Sequence, residues 1–128
     1  MYYWLDEALT WVESRDRCSE GNNGYLAVAK SKKQFDFLRG MYDEYRARRG
    51  DAAGAWIDGK YHNATKTWVC DSYIYVWYPN YMSYMSWSFE EPNGELTEHC
   101  VLVWHSRTDG VANYNCNQAM PAICAAYR

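Results

Sequence analysis

A chain of 128 residues with a formal net charge of −3, 48% hydrophobic and 23% charged, has the length of one domain and the balance of a globular protein, which excludes disordered and fibrous chains. The mild acidity excludes the clustered basic face on which nucleic-acid binding rests. No apolar run approaches the roughly 20 residues that cross a bilayer, so no membrane span is expected, and residues 1–128 are expected to form one domain.

Taken in chain order, residues 1–6 lack both the basic start and the apolar stretch of a signal peptide. Residues 6–19, with Leu5, Ala8, Leu9 and Val12 at helical spacing among charged residues, predict an amphipathic helix. Cys18 falls near its end, and Gly21 and Gly24 punctuate it. Ser31 opens a second helical pattern in which Phe35, Leu38, Met41 or Tyr42, and Tyr45 share one face until Gly50. Arg46, Arg48 and Arg49 come just before that glycine and read as solvated cations at the negative end of the helix.

After Gly54 the chain turns to short aromatic and β-branched runs. Residues 55–58, 67–70, 100–104, 111–115 and 123–127 predict strands. Helices first and strands afterwards point to an α+β fold with an antiparallel or mixed sheet. Asn63-Ala64-Thr65 matches the N-glycosylation acceptor pattern. Residues 71–98 show poor periodicity over a length uncommon for a loop in a compact domain, which makes them the place to look for activity. Tyr73, Tyr75, Trp77, Tyr78, Tyr81, Tyr84 and Trp87 are interleaved there with Ser, Asn and Met, a mixture similar to an antibody paratope. Sugars also stack on such rings, and some of them are expected simply to fill the core.

Five cysteines, Cys18, Cys70, Cys100, Cys116 and Cys124, are many for a small cytosolic domain and ordinary for an extracellular one. No C-x-x-C pair is present, against a zinc site or a thioredoxin-like pair. Two disulfides and one odd thiol is the simplest arithmetic, and a secreted or extracellular protein is expected, its signal removed or replaced by Met1. The sequence has no G-x-S-x-G elbow, no phosphate-cradling glycine loop and no H-E-x-x-H, so catalysis is not expected. His62, His99 and His105 are scattered; His105, next to Trp104, is the one expected to touch a ligand.

Several landmarks then stand in one order: Trp11 and Cys18, Gly24-Tyr25-Leu26-Ala27, Trp56-Ile57-Asp58-Gly59, Glu91-Pro92-Asn93, Glu98-His99-Cys100, Cys116 and Ile123-Cys124. In this combination the chain resembles a C-type lectin domain over nearly its whole length, in the short form that begins inside the first strand at Tyr2-Tyr3. The resemblance implies a C-type lectin-like fold, two helices packed on small antiparallel sheets with a long irregular binding loop. It also implies disulfides Cys18 to Cys124 and Cys100 to Cys116, and a core role for Trp87. Cys70 is left over, either a free thiol acting as a small hydrophobe or a bridge to a second subunit.

The resemblance further implies a bound Ca²⁺. This hard cation takes six to eight oxygen ligands, so carboxylates and amides must converge from loops. Glu91, Asn93 and Glu98 are the implied ligands, with Pro92 cis between the first two. The same side chains would hydrogen-bond two neighbouring sugar hydroxyls, giving a carbohydrate site of Glu91, Asn93, Glu98 and His105. The order Glu-Pro-Asn implies mannose, N-acetylglucosamine or fucose over galactose. Where the family carries Trp-Asn-Asp, this chain has Val111-Ala112-Asn113: Ala112 cannot ligate, and Asn113 keeps an oxygen but not the charge.

Two readings follow. In the first, the domain is a calcium-dependent lectin for mannose-type glycans, with Asn113 as a further metal ligand. In the second, it has lost or weakened its metal and binds a protein or other surface through its Tyr/Trp-rich loop. A glycosidase built on Glu91 and Glu98, the outside possibility, is outweighed by the Glu-Pro-Asn context. Because one shallow sugar site binds weakly, a homodimer is expected.

Overall fold

The computed structural model describes residues 2–20, 24–29, 31–50, 53–62, 67–70, 80–81, 87–88 and 100–126. Along the chain these form β1 (Tyr2–Leu9), α1 (Trp11–Ser19), β2 (Gly24–Leu26), α2 (Lys32–Arg49), β3 (Gly54–His62), β4 (Thr67–Cys70), β5 (Asn80–Tyr81), β6 (Cys100–Trp104), β7 (Ala112–Tyr114) and β8 (Met120–Ala126).

Helix α2 follows its sequence signals closely. The Gln34 N–H donates to the Ser31 hydroxyl at 3.1 Å, Phe35, Leu38, Tyr42 and Tyr45 are its buried residues, and Gly50 closes it at φ 90, the left-handed region that glycine enters without a Cβ penalty. Helix α1 starts later than its apolar spacing suggests. Thr10 and Glu13 form a capping box, with the Glu13 N–H donating to Thr10 Oγ1 at 3.3 Å and the Thr10 N–H to Glu13 Oε1 at 3.0 Å, so the helix begins at Trp11. Its buried stripe is Trp11, Ser14 and Cys18, while residues 6–9 belong to β1. The expected helix over residues 6–19 is thus part strand, and the signal that fixes the boundary, Thr-x-x-Glu, was present in the sequence.

The strands join in one sheet, not several small ones, in the order β1-β8-β3-β4-β5, with β2 also pairing β8 and β6 lying between β3 and β7. The pairings are antiparallel apart from β3 with β8, which meet in parallel at Trp56 and Ala122. The sheet is therefore mixed, and strands precede each helix as well as following them. Asn80–Tyr81, inside the stretch expected to be irregular, pairs with β4.

Alternation along β3, β6, β7 and β8 divides the core in two. Ala55, Ile57, Val101, Val103, Val111, Ile123 and Ala125 pack with Phe35, Leu38 and Tyr42 of α2. Trp56, Cys100, Leu102, Ala112, Ala122 and Cys124 pack with Trp11 and Cys18 of α1. A sheet covered on both faces needs continuous apolar runs, which explains why 100–103 and 122–126 read as unbroken hydrophobic segments.

The sequence landmarks turn out to be mutual contacts. The Trp11 indole donates to Ile57 O at 2.9 Å, and the Trp56 indole is shared between Leu9 O and Gln118 O at 3.1 and 3.2 Å. The Asp58 N–H donates to Ala27 O at 2.7 Å and the Ala27 N–H to Ile123 O at 3.0 Å. At Gly24 a Cβ would sit 2.3 Å from the Cys18 carbonyl oxygen, so no larger residue fits without backbone movement. Both implied disulfides are present: Cys18–Cys124 with Cα atoms 5.6 Å apart and Cys100–Cys116 with Cα atoms 5.2 Å apart.

Candidate functional site

Of the residues implied for the metal and sugar site, those the structure describes stand on β7 or just after β6. Cys100 starts β6 and pairs with Tyr114, Val101 with Asn113, and Leu102 with Ala112. Since alternate residues share a face, Asn113 projects with Val101 and Val111, and it is buried at 4% exposure. Ala112 projects the other way, into the core beneath α1. Position 112 thus contributes packing and no oxygen for a metal.

Val111 also anchors the chain segment that leads into the Glu-Pro-Asn motif. Trp87 forms a parallel bridge with Val111 and packs, half-buried, against the α2-side core. The Ser88 N–H donates to Val111 O at 2.8 Å, and the Ser88 hydroxyl donates to Asp109 Oδ1 at 2.6 Å. Trp87 is thereby a core residue, and Ser88 and Asp109 are an anchor that the sequence reading missed, because residues 21 positions apart share no local signal.

Glu91, Pro92, Asn93 and Glu98 lie outside the described residues, as do His99, Asn63-Ala64-Thr65 and most of the Tyr/Trp-rich stretch. Of the expected metal ligands, Asn113 is the one within them. Asn115, two residues beyond Asn113, has its amide oxygen engaged: the Asn117 N–H donates to Asn115 Oδ1 at 2.9 Å, shaping the turn into β8. Among the described residues no three His, Cys, Asp or Glu side chains converge.

His105 is placed elsewhere. It follows the last residue of β6, four positions from Val101, so that it stands roughly 13 Å along the strand from the level of Asn113. Its Nδ1 lies 3.0 Å from Ala53 O, and its ring is tilted against Trp104 at 4.9 Å. The structure does not bring His105 together with Asn113. The turn carrying His105 is held by Arg39 of α2, whose guanidinium donates to the carbonyls of Trp104, His105 and Arg107 at 2.7, 3.1 and 3.1 Å. Cys70 ends β4, with its backbone paired to Asn80. No helix among the described residues is long and apolar enough to cross a membrane.

Residues 7–126 match the family described as the lectin C-type domain. Lithostathine of Rattus norvegicus is 28% identical over 102 residues, which cover 80% of this chain and 56% of that protein, so the match takes in little more than half of the relative's length. Among solved structures, human lithostathine superposes with a TM-score of 0.77 at 21% identity, covering 96% of this chain and 80% of the other. The C-type lectin domain of murine dendritic cell inhibitory receptor 2, solved in complex with N-glycan, gives a TM-score of 0.65 at 22% identity over 98% of this chain and 90% of the other. With the two disulfides, the interlocked tryptophans and the sheet between two helices, these matches settle the relationship: the chain belongs to the C-type lectin domain family.

Proposed function

We propose that residues 1–128 act as one secreted, calcium-dependent carbohydrate-binding domain with a preference for mannose-type sugars, and that the chain is a binder with no catalytic role. The observation that carries this reading is the β6–β7 register. It sets Asn113 beside Val101 at the end of β6 that Glu98 enters two residues earlier, on the face where Trp87 and Ser88 fasten the chain ahead of Glu91. The donor set of two carboxylates and two amides suits an oxygen-loving cation, with one negative charge fewer than three carboxylates would give, so a weaker site is expected. Calcium, when bound, supplies coordination positions for two neighbouring sugar hydroxyls. Glu91 and Glu98 accept hydrogen bonds from those hydroxyls, Asn93 donates to them, and Asn113 helps to hold the cation. Two disulfides support an oxidising, extracellular setting.

Calorimetry with mannose, N-acetylglucosamine, fucose and galactose, with calcium and then with EDTA, tests the reading. The first three sugars are expected to bind more tightly than galactose, and EDTA to remove that preference. A preference for those three over galactose that survives EDTA, or no binding by any of the four, overturns it. A second reading, a domain that engages a protein surface through its Tyr/Trp-rich stretch, is favoured by Ala112, whose side chain packs into the core and has no oxygen to offer a metal. Light scattering tests the accompanying homodimer, with a monomer at high concentration counting against it.

A further inference from the structure

On the other face of β7 the chain builds a groove that the calcium reading does not use. Strand β1 lies at the edge of the sheet, and its pairing with β8 slips between Leu5 and Leu9: Leu5 pairs with Ala122 and Leu9 with Met120, so four steps on β1 match two on β8. Pro121 occupies the intervening position of β8 and has no N–H to donate, which breaks the ladder there and lets β1 bulge. Glu7 pairs with Arg17 of α1, while Asp6 and Ala8 border a cavity of about 490 Å³. Asp6, Tyr45 and Arg49 line it together with Trp104, Tyr114 and buried Met120.

The lining is of two chemical kinds. Asp6 accepts hydrogen bonds from both the Tyr45 hydroxyl and the Arg49 guanidinium, and Arg49 also lies 5.7 Å from the Tyr45 ring. This arrangement is held in place and neutral overall, so it offers fixed donors and acceptors without a net charge to attract an ion. Also in the lining, Trp104 and Tyr114 stack at 5.0 Å with their planes 25° apart. The exposed Gln118 adds an amide at the rim.

We infer that this groove is a second, metal-independent binding site for a neutral saccharide, one whose ring sets its C–H face against the stacked Trp104–Tyr114 pair and its hydroxyls toward Asp6, Arg49 and Gln118. The volume falls within the roughly 300 to 1,000 Å³ of small-molecule sites and has room for a disaccharide. Aromatic faces supply contact area and fixed polar groups supply orientation. A charged ligand finds no uncompensated partner here, since Asp6 and Arg49 neutralise each other. Tyr114 and Asn113 are adjacent on β7 and point to opposite faces, so the groove is separate from the proposed calcium site and does not depend on it.

The test is a titration with cellobiose in EDTA, followed by the amide NMR signals of residues 104, 114 and 118–120. Saturable shifts confined to those residues are expected, with a Kd on the order of 1 mM, as befits a shallow neutral site. Ala8→Trp, at an exposed position on the groove's edge, fills the space and is expected to weaken binding at least about tenfold. Asp6→Ala, which removes the central acceptor of the polar lining, is expected to do the same and serves if the first variant does not fold. The inference is overturned if the groove signals do not saturate, if both folded variants bind cellobiose as well as the parent, or if N-acetyltyrosinamide occupies the groove where cellobiose does not.

Discussion

The two faces of the central sheet are held by different means. Beneath α2, Phe35, Leu38 and Tyr42 pack against valines, alanines and isoleucines with no disulfide among the described residues, and Arg39 adds hydrogen bonds to three carbonyls. Beneath α1 the helix has only nine residues, and that face carries both disulfides and the indole hydrogen bonds from Trp11 to Ile57 O and from Trp56 to Leu9 O and Gln118 O. A long helix can bury enough apolar surface to stay in place. A short one relies on covalent closure and directional bonds, because helices of a few turns are marginal without tertiary support.

This difference is open to direct challenge. Replacing Cys18 and Cys124 with serine releases a closure of 106 residues and is expected to lower stability by about 4 to 5 kcal/mol, against about 3 kcal/mol for Cys100 and Cys116, which close 16. Chemical denaturation of the two double variants reads both values, and an equal loss would mean that chain closure is not what holds the α1 face. On the other side, Leu38→Ala is expected to cost about 2 to 4 kcal/mol by opening a cavity, while leaving the reduced and oxidised forms equally affected. A loss seen only after reduction would show that the two faces do not act independently.

A smaller effect distinguishes the faces by pH. Tyr42 lies fully buried in the α2-side core and Tyr3 packs beside the α1-side core, and burial raises the pKa of each above the ordinary 10.0. For Tyr42 the neighbouring Arg46 and Arg39 work against that rise, and Asp43 adds to it. A raised folded-state pKa means that the folded protein keeps protons which the unfolded chain has released. The stability these residues contribute is therefore complete below about pH 9 to 10 and is lost as pH climbs through their folded-state values. Denaturation midpoints should be insensitive to these two groups from neutral pH to about pH 9 and fall above about pH 10. Tyr42→Phe should shallow that fall more than Tyr3→Phe, because Tyr3 is only partly buried and its hydroxyl donates to Cys18 O at 3.2 Å. The reverse order would assign the alkaline transition to the α1 face.

How far the sequence could be read follows the same division. Helix α2 was legible because its cap, apolar stripe and terminal glycine are all local. The start of α1 was misread because Leu5, Ala8 and Leu9 imitate a helical period inside a strand that bulges, and the capping box at Thr10 was the better guide. The disulfides came from the resemblance and not from spacing. Contacts such as Arg39 with the carbonyls of residues 104, 105 and 107 were illegible, since they join positions 65 to 68 residues apart and no residue type announces them. Of the candidate site, the sequence supplied the Glu-Pro-Asn motif, while the opposite destinations of Ala112 and Asn113 needed the strand register. His105 was drawn in by its neighbour Trp104, and strand length then separates it from Asn113.

The ladder between β1 and β8 has one more implication. Tyr2 pairs with Ala125 and Tyr3 with Cys124, so the first and last described strands run side by side and the backbone enters and leaves at a common border. A host polypeptide could receive this unit at a single exposed turn with little displacement of its own flanks, much as tolerated insertions depend on neighbouring ends. Several copies could equally be strung in series, each hanging from a narrow stem.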